Sequence, residues 1–243
     1  MTNTSDKQGC ALVIGACGAI GSALIDQFLA QTDYDVIAVS RQSDSTHRER
    51  LRWLQTDHSD ASLADIVNTP ELLNADIQRV IICTGVLHGD AFRPEKKIEQ
   101  LRRETLEHVI HVNAVLPIAW LQSLTPLLLR SSAVVAVLSA RVGSIEDNRS
   151  GGWYSYRSSK AALNMLLKSL SVEYARRAPG VKLIAFHPGT TDSALSRPFQ
   201  KSVPDGKLFT PAFVADQLLR IMKTMPADGA LSFLDWQGQP IDW

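Results

Sequence analysis

The chain has 243 residues, 45% hydrophobic and 21% charged, the proportions of a globular protein large enough to hold its own core. Lysine plus arginine (25) equals aspartate plus glutamate (25), so no net charge draws the chain to nucleic acid or to an anionic membrane. Cys10, Cys17 and Cys83 form neither a CxxC pair nor a metal-ligand spacing with histidine, so the expectation is free thiols in a reducing cytoplasm and no metal.

Met1–Cys10 is polar and lacks the apolar centre of a secretory signal. Ala11–Ile14 is a short apolar run, read as a first strand, and it leads directly into Gly15-Ala16-Cys17-Gly18-Ala19-Ile20-Gly21. Val36–Ser40, Arg79–Cys83, Ala133–Ser139 and Val181–His187 are similar runs, rich in Val and Ile and without polar alternation, as strands covered on both faces are. Leu51–Gln55 is a weaker strand and Leu231–Leu234 a plausible last one. Between them, helices are predicted over Ile20–Ala30, Leu63–Leu73, Ile98–His111, Ala114–Leu129, Tyr156–Arg176 and Phe213–Met222. In Ile98–His111, Glu99/Arg103 and Arg103/Glu107 are spaced for ion pairs on a solvated helix face. The nearest approach to a membrane span, Val112–Leu129, is interrupted by Asn113, Pro117, Gln122 and Pro126 and reads as a buried or interface helix. Strand–helix alternation without repeats or linkers predicts an α/β fold: one doubly wound Rossmann-type domain over 1–243, its parallel sheet of about seven strands covered by helices on both faces. Turn-rich stretches fall at Gln42–Thr46, Gly143–Gly152 and Ser193–Gly206, and the last two belong at the carboxyl edge of the sheet, where ligands bind in such folds.

The glycine turn has the residues a pyrophosphate needs. Gly15 permits a tight turn after the strand, Gly18 adds freedom in the loop, and Gly21 lets helix and strand pack closely. Backbone amides over Cys17, Ala19 and Ile20 then face the phosphates; the Cys17 thiol lies close enough that its oxidation would block binding. No acidic residue ends the second strand to take a ribose 2′-hydroxyl. Ser40 and Arg41 stand there instead and suit a 2′-phosphate, so NADP(H) is preferred and NAD(H) remains possible. Asp57, after the third strand, is read either as a partner of the adenine amino group or as a cap for the following helix.

Tyr156 lies four residues before Lys160, which places both on one helix face; Tyr154 is off that face. An ammonium there would lower the tyrosine pKa and fit Tyr156 to give a proton to a carbonyl oxygen or take one from an alcohol.

In these motifs and their order the chain resembles the short-chain dehydrogenase/reductase family across nearly its full length, Pro188-Gly189 included. The stretch from Arg141 to Asn148, the stretch Gly151-Gly152-Trp153-Tyr154-Ser155-Tyr156 and the closing Asp235-Trp236-Gln237-Gly238 resemble the C-factor-like and sniffer-like carbonyl reductases. The resemblance implies that Asn113 holds a proton-relay water through its backbone, that Gly85 contacts the cofactor, and that His187–Ser193 meets the nicotinamide, with Thr191 or Ser193 on its carboxamide. It implies for Lys160 a hold on the nicotinamide ribose. Three departures stand out. Ala19 replaces a glycine, Ile82-Cys83-Thr84-Gly85 replaces Asn-Asn-Ala-Gly, and Ala140 occupies the place of the substrate-orienting serine, leaving Ser139 or Ser144 to serve.

The leading expectation is an NADP(H)-dependent carbonyl reductase or alcohol dehydrogenase acting on a small-molecule carbonyl or alcohol; the alternative is a dinucleotide-binding sensor or signalling protein with little turnover. Leu195, Pro198, Phe199 and Val203 in the Ser193–Gly206 loop, with Trp153, suggest an apolar or mixed substrate wall. The apolar helices Ala114–Leu129 and Tyr156–Arg176 suggest a homodimer, a tetramer being possible.

Overall fold

The computed structural model describes residues 8–42 and 47–243; the predicted turn at Gln42–Thr46 lies outside these after its first residue, as do the first seven residues of the Met1–Cys10 segment. The strands are β1 (Gly9–Ile14), β2 (Asp35–Ser40), β3 (Leu51–Gln55), β4 (Asp76–Ile82), β5 (Val134–Leu138), β6 (Lys182–His187), β7 (Thr190–Thr191), β8 (Leu208–Phe209) and β9 (Leu231–Asp235). The helices are α1 (Ala19–Gln31), α2 (Asp60–Val67), α3 (Pro70–Leu73), α4 (Arg103–Ile110), α5 (Leu116–Leu128), α6 (Tyr154–Arg177) and α7 (Pro211–Thr224). Seven strands form one parallel sheet in the order β3-β2-β1-β4-β5-β6-β9, the predicted doubly wound arrangement. β7 and β8 pair separately and tie together the base of the 193–206 loop.

β1 illustrates why the central strands carry no polar alternation. Cys10, Leu12 and Ile14 enter a core with Leu63, Trp120, Leu121, Leu163 and Leu167, whereas Ala11 and Val13 enter a second core with Leu24, Phe28, Val214 and Leu218. Successive side chains of a strand point to opposite faces, and here helices cover both.

Two predicted helices divide. Leu63–Leu73 is α2 followed by α3, broken at Asn68-Thr69 because Pro70 opens α3 and holds Thr69 extended (φ −67°, ψ 146°). Ile98–His111 is a 3-10 turn, Ile98–Gln100, then extended Leu101 and Arg102, then α4. Glu99 therefore precedes the helix that carries Arg103, and among the described residues neither Glu99–Arg103 nor Arg103–Glu107 forms an ion pair. A π-helical turn, His111–Val115, joins α4 to α5. Among the described residues, no helix is long and apolar enough to cross a membrane.

Candidate active site

The glycine turn leaves β1 with Gly15 in the left-handed region (φ +84°), where a Cβ would lie 3.0 Å from the backbone of Cys83 and Thr84. A Cβ on Gly21 would stand 2.4 Å from the Gly15 carbonyl oxygen, so α1 approaches the turn as only glycine permits. Gly18 is the N-cap of α1 and supplies no side-chain cap, while Ser22 N makes the first intrahelical bond back to Gly18 (2.8 Å). The amides of Ala19, Ile20 and Gly21 thus open a helix with no side chain over its positive end, the arrangement that receives an anion. Ala19, where the family pattern has glycine, is half-buried without distorting the helix start. Val39 O accepts both Gly15 N (2.9 Å) and Ala16 N (3.2 Å), which fixes the end of β2 against the turn.

That register brings Ser40 and Arg41 beside Cys17. The Ser40 hydroxyl is buried, 3.0 Å from Cys17 Sγ, and is also bonded to the Gln42 carbonyl. Arg41 is exposed, and among the described residues its guanidinium has no ion-pair partner. Asp57 Oδ1 accepts Ser59 N (2.8 Å), and this bond holds the Asp57 carboxyl below the usual range. Ser59 in turn caps α2 through Ser62 N, so Asp57 braces the cap from outside the helix.

Tyr156 and Lys160 lie in the first two turns of α6, with Lys160 Nζ 5.9 Å from the tyrosine ring centroid. Lys160 is buried and donates to Leu138 O at the end of β5 (2.7 Å). Gly143 makes this reach possible: a Cβ there would meet Lys160 Cβ at 2.8 Å, so the 3-10 turn Arg141–Gly143 lies directly on α6. Burial pushes Lys160 down to about 7 and Tyr156 up to about 12. The expected lowering of the tyrosine pKa by the lysine is thus outweighed, because both groups are removed from water and each disfavours its charged form.

Asn113 is fully buried and joins this pair to the end of β4. Its Oδ1 accepts Val86 N (2.7 Å) and its Nδ2 donates to Val86 O (2.8 Å) and to Ser159 Oγ (3.0 Å), which in turn donates to Tyr156 O (2.8 Å). A Cβ on Gly85 would lie 3.5 Å from Asn113 Oδ1 and 3.8 Å from Lys160 Nζ, so Gly85, Asn113 and Lys160 meet at one point. Asn113 occupies the middle of the π-helical turn, and Pro117, four residues on, has no N–H to give its carbonyl.

The serine question has a definite geometry. Ser139 is buried and its hydroxyl donates to Asn164 Oδ1 on α6 (2.7 Å). Ser144 is also buried, its oxygen accepting Asp147 N (3.1 Å). Ala140 lies between, at the start of the 3-10 turn. Among the described residues neither hydroxyl bonds Tyr156.

Pro188 and Gly189 leave β6 with Gly189 left-handed (φ +70°), where a Cβ would strike the Phe209 ring at 2.6 Å and Trp236 at 3.1 Å. The closing motif builds that floor: Asp235 Oδ1 accepts Gln237 N and Gln239 N, and its other oxygen is 3.5 Å from Arg141. Thr191 follows, buried, with an unpartnered hydroxyl; Thr84, after β4, has another. Sequence reasoning assigned no role to Thr84, although a polar residue directly after a central strand was the available signal. The 193–206 loop reaches the neighbourhood of Tyr156 through Trp153. Phe199 packs on Trp153 (5.1 Å between centroids) and His88 (5.8 Å), Trp153 lies 6.1 Å from Tyr156, and His88 Nε2 is 3.2 Å from Ala194 O.

The carboxyl edge of the sheet thus carries two connected parts. One is the glycine turn Gly15–Gly21 at the uncapped start of α1, with Ser40 and Arg41 at its outer side and Asp57 beyond. The other is the cluster of Tyr156, Lys160, Asn113 and Gly85, and the Gly15 contact with Cys83 and Thr84 links them. Ser139 joins neither through its hydroxyl.

Residues 9–203 match the family model described as short chain dehydrogenase. A 1-hydroxy-2-glutathionyl-2-methyl-3-butene dehydrogenase of Rhodococcus sp. (strain AD45) is 29% identical over 147 residues, 60% of this chain and only 62% of that relative's length. The C-signal protein of Myxococcus xanthus is 33% identical over 134 residues, 54% of this chain and 75% of the relative. Among solved structures, the carbonyl reductase Sniffer of D. melanogaster superposes with a TM-score of 0.83 at 19% identity, covering 98% of this chain and 100% of that one. The NADPH-bound carbonyl reductase from chicken fatty liver superposes at 0.82 and 22% identity with the same coverage. With its glycine turn, its tyrosine–lysine pair and this match over most of its length, the chain belongs to the short-chain dehydrogenase family.

Proposed function

We propose that the protein is an NADP(H)-dependent oxidoreductase that interconverts a carbonyl and an alcohol. The observation that carries this reading is half-buried Tyr156 beside buried Lys160, with Asn113 and Gly85 against the lysine, next to the glycine cradle. The cradle fits a dinucleotide: Gly15 and Gly21 stand where any Cβ would obstruct the turn, and Thr84 and Thr191 present unpartnered hydroxyls toward the same edge. The NADPH-bound carbonyl reductase with this fold supports the cofactor class, and the exposed Arg41 beside Ser40 supports a 2′-phosphate over a 2′-hydroxyl.

In this reading the nicotinamide supplies or accepts the hydride. Tyr156, held protonated through the neutral range by burial, gives its proton to the carbonyl oxygen during reduction. Lys160, when protonated, stabilises the tyrosinate left behind and holds the ribose of the cofactor. Asn113 fixes the loop after β4 with its side chain, and its carbonyl, which Pro117 cannot bond, would hold a relay water. Gly15, Cys17, Gly18, Ala19, Ile20 and Gly21 receive the pyrophosphate, with Asp57, Gly85, Pro188, Gly189 and Thr191 at the adenine and nicotinamide ends. The 193–206 loop, through Phe199 on Trp153, covers the substrate. Exposed Val115, Met165, Leu166 and Val172, on and beside α5 and α6, support a homodimer through these helices.

A second reading, a dinucleotide-binding sensor, draws on Ala140 and on the Ser139 hydroxyl being committed to Asn164, and the C-signal relative is compatible with it. Fluorescence titration with NADPH and NADH, on wild type and Arg41→Ala, combined with a carbonyl-reduction assay, separates the readings. Tight NADPH binding that Arg41→Ala weakens about tenfold, with turnover, supports the reductase. Binding without turnover of any ketone or aldehyde tried supports the sensor. Failure to bind either nucleotide overturns both.

A further inference from the structure

We propose that Glu95 is a positioning residue for Tyr156: its carboxylate and its carbonyl together clamp the start of α6 and fix where the tyrosine hydroxyl lies. The proposal rests on Tyr156 being the proton donor.

The helix α6 begins without a cap of its own. Its N-cap residue, Trp153, is left-handed (φ 51°, ψ 41°) and makes no side-chain capping bond, and Gly151 and Gly152 before it are left-handed too. A tryptophan in that conformation is strained, and such strain persists only where the surroundings hold it. Glu95, far away in sequence and itself buried, supplies the hold. Its carbonyl accepts Trp153 N (2.5 Å), its Oε2 accepts Ser155 N (3.2 Å), and its Oε1 accepts the Ser155 hydroxyl. A carboxylate at the second amide of a helix does what a capping Ser or Asp does, and its charge suits the positive end of the helix. Gly152 permits the approach, since a Cβ there would lie 3.2 Å from Glu95 O. Tyr156 is the next residue after Ser155, and Glu95, Ser155 and Tyr156 line one narrow crevice with Leu87, Phe92 and Val109. The clamp therefore acts one residue from the reacting hydroxyl and also orients the Trp153 ring beside it.

The test compares Glu95→Ala, Glu95→Gln and Glu95→Asp with wild type. Misplacing a reacting group by about 1 Å costs on the order of 100-fold in rate. Glu95→Ala should lower kcat about 10- to 100-fold while leaving KM for NADPH within about twofold. Glu95→Gln, which keeps the acceptor oxygen, should recover most of that loss. A folded, NADPH-binding Glu95→Ala protein with wild-type kcat overturns the proposal, as does equal loss in the Ala and Gln variants. If Glu95→Ala does not fold, Glu95→Asp, one methylene shorter, takes its place, and wild-type kcat in that variant is equally fatal. Hydrogen exchange over residues 153–157 reads the clamp without turnover: removing it should speed exchange there and leave the β1 and β4 amides unchanged. A wild type that binds NADPH but reduces nothing refutes the reductase reading instead, and unchanged exchange in the variant would then remove the clamp as well.

Discussion

Replacing Lys160 by methionine should stabilise the protein at acid pH while abolishing its chemistry. The lysine is 3% exposed, and burial takes it from 10.5 down to about 7. Below about pH 7 the folded protein holds a buried ammonium that the unfolded chain leaves in water, a penalty on the order of 4–5 kcal/mol. Between about 7 and 10.5 the unfolded chain binds the proton and the folded chain does not, so wild-type stability rises with pH across that window and the penalty is gone above it. Methionine has similar bulk and no charge, but it leaves Leu138 O without the 2.7 Å bond from Nζ, which costs about 1–3 kcal/mol. The net gain at pH 6 is then about 1–4 kcal/mol, or about 2–16 °C in Tm for a chain of this length. Near pH 10.5 the sign should reverse, because only the lost hydrogen bond remains. Urea or thermal unfolding of both proteins without nucleotide, at pH 6 and pH 10, measures this directly. A methionine variant less stable than wild type at pH 6, or a difference that does not change with pH, refutes the assignment of Lys160 as a charge held against its solvation.

Two further substitutions probe the halves of the site separately. Tyr156→Phe should lower kcat for carbonyl reduction about 10²- to 10⁴-fold, the range for losing a general acid, and leave NADPH affinity within a few-fold by fluorescence titration. Gly21→Val would place a branched side chain whose Cβ is 2.4 Å from Gly15 O, so α1 must move off the turn; NADPH binding should weaken at least about tenfold while Tyr156 and Lys160 keep their contact.

Much of this architecture is legible in the chain because buried strands leave an unambiguous mark. The unbroken Val/Ile runs located five of the seven strands of the main sheet; Leu51–Gln55, which matched at both ends despite its weak pattern, and Leu231–Leu234 supplied the other two. The spacing of Tyr156 and Lys160 identified their shared helix face for the same local reason. What escaped depended on distant partners. Pro70 divides a helix whose hydrophobic period runs through the break. Ser139 reads as a free hydroxyl until Asn164, 25 residues later, is seen to accept its hydrogen bond. Lys160 reads as a charge that acidifies its neighbour, whereas burial governs both groups, and burial is a property of the assembled layers. Glu95 lies 60 residues from Ser155 and carries no local signature of the contact.

The parallel sheet gives the site a particular dependence on folding order. The cradle follows β1, Gly85 follows β4, Lys160 is bonded to the last residue of β5, and Pro188-Gly189 follows β6. Each of these strands meets its neighbour only after a long crossover, and such non-local pairings form late in folding. No contiguous half of the chain contains both the cradle and the tyrosine–lysine pair with its supports. A chain still emerging from synthesis, or one nicked before β6 docks, therefore carries recognisable pieces of the site but not the assembled site.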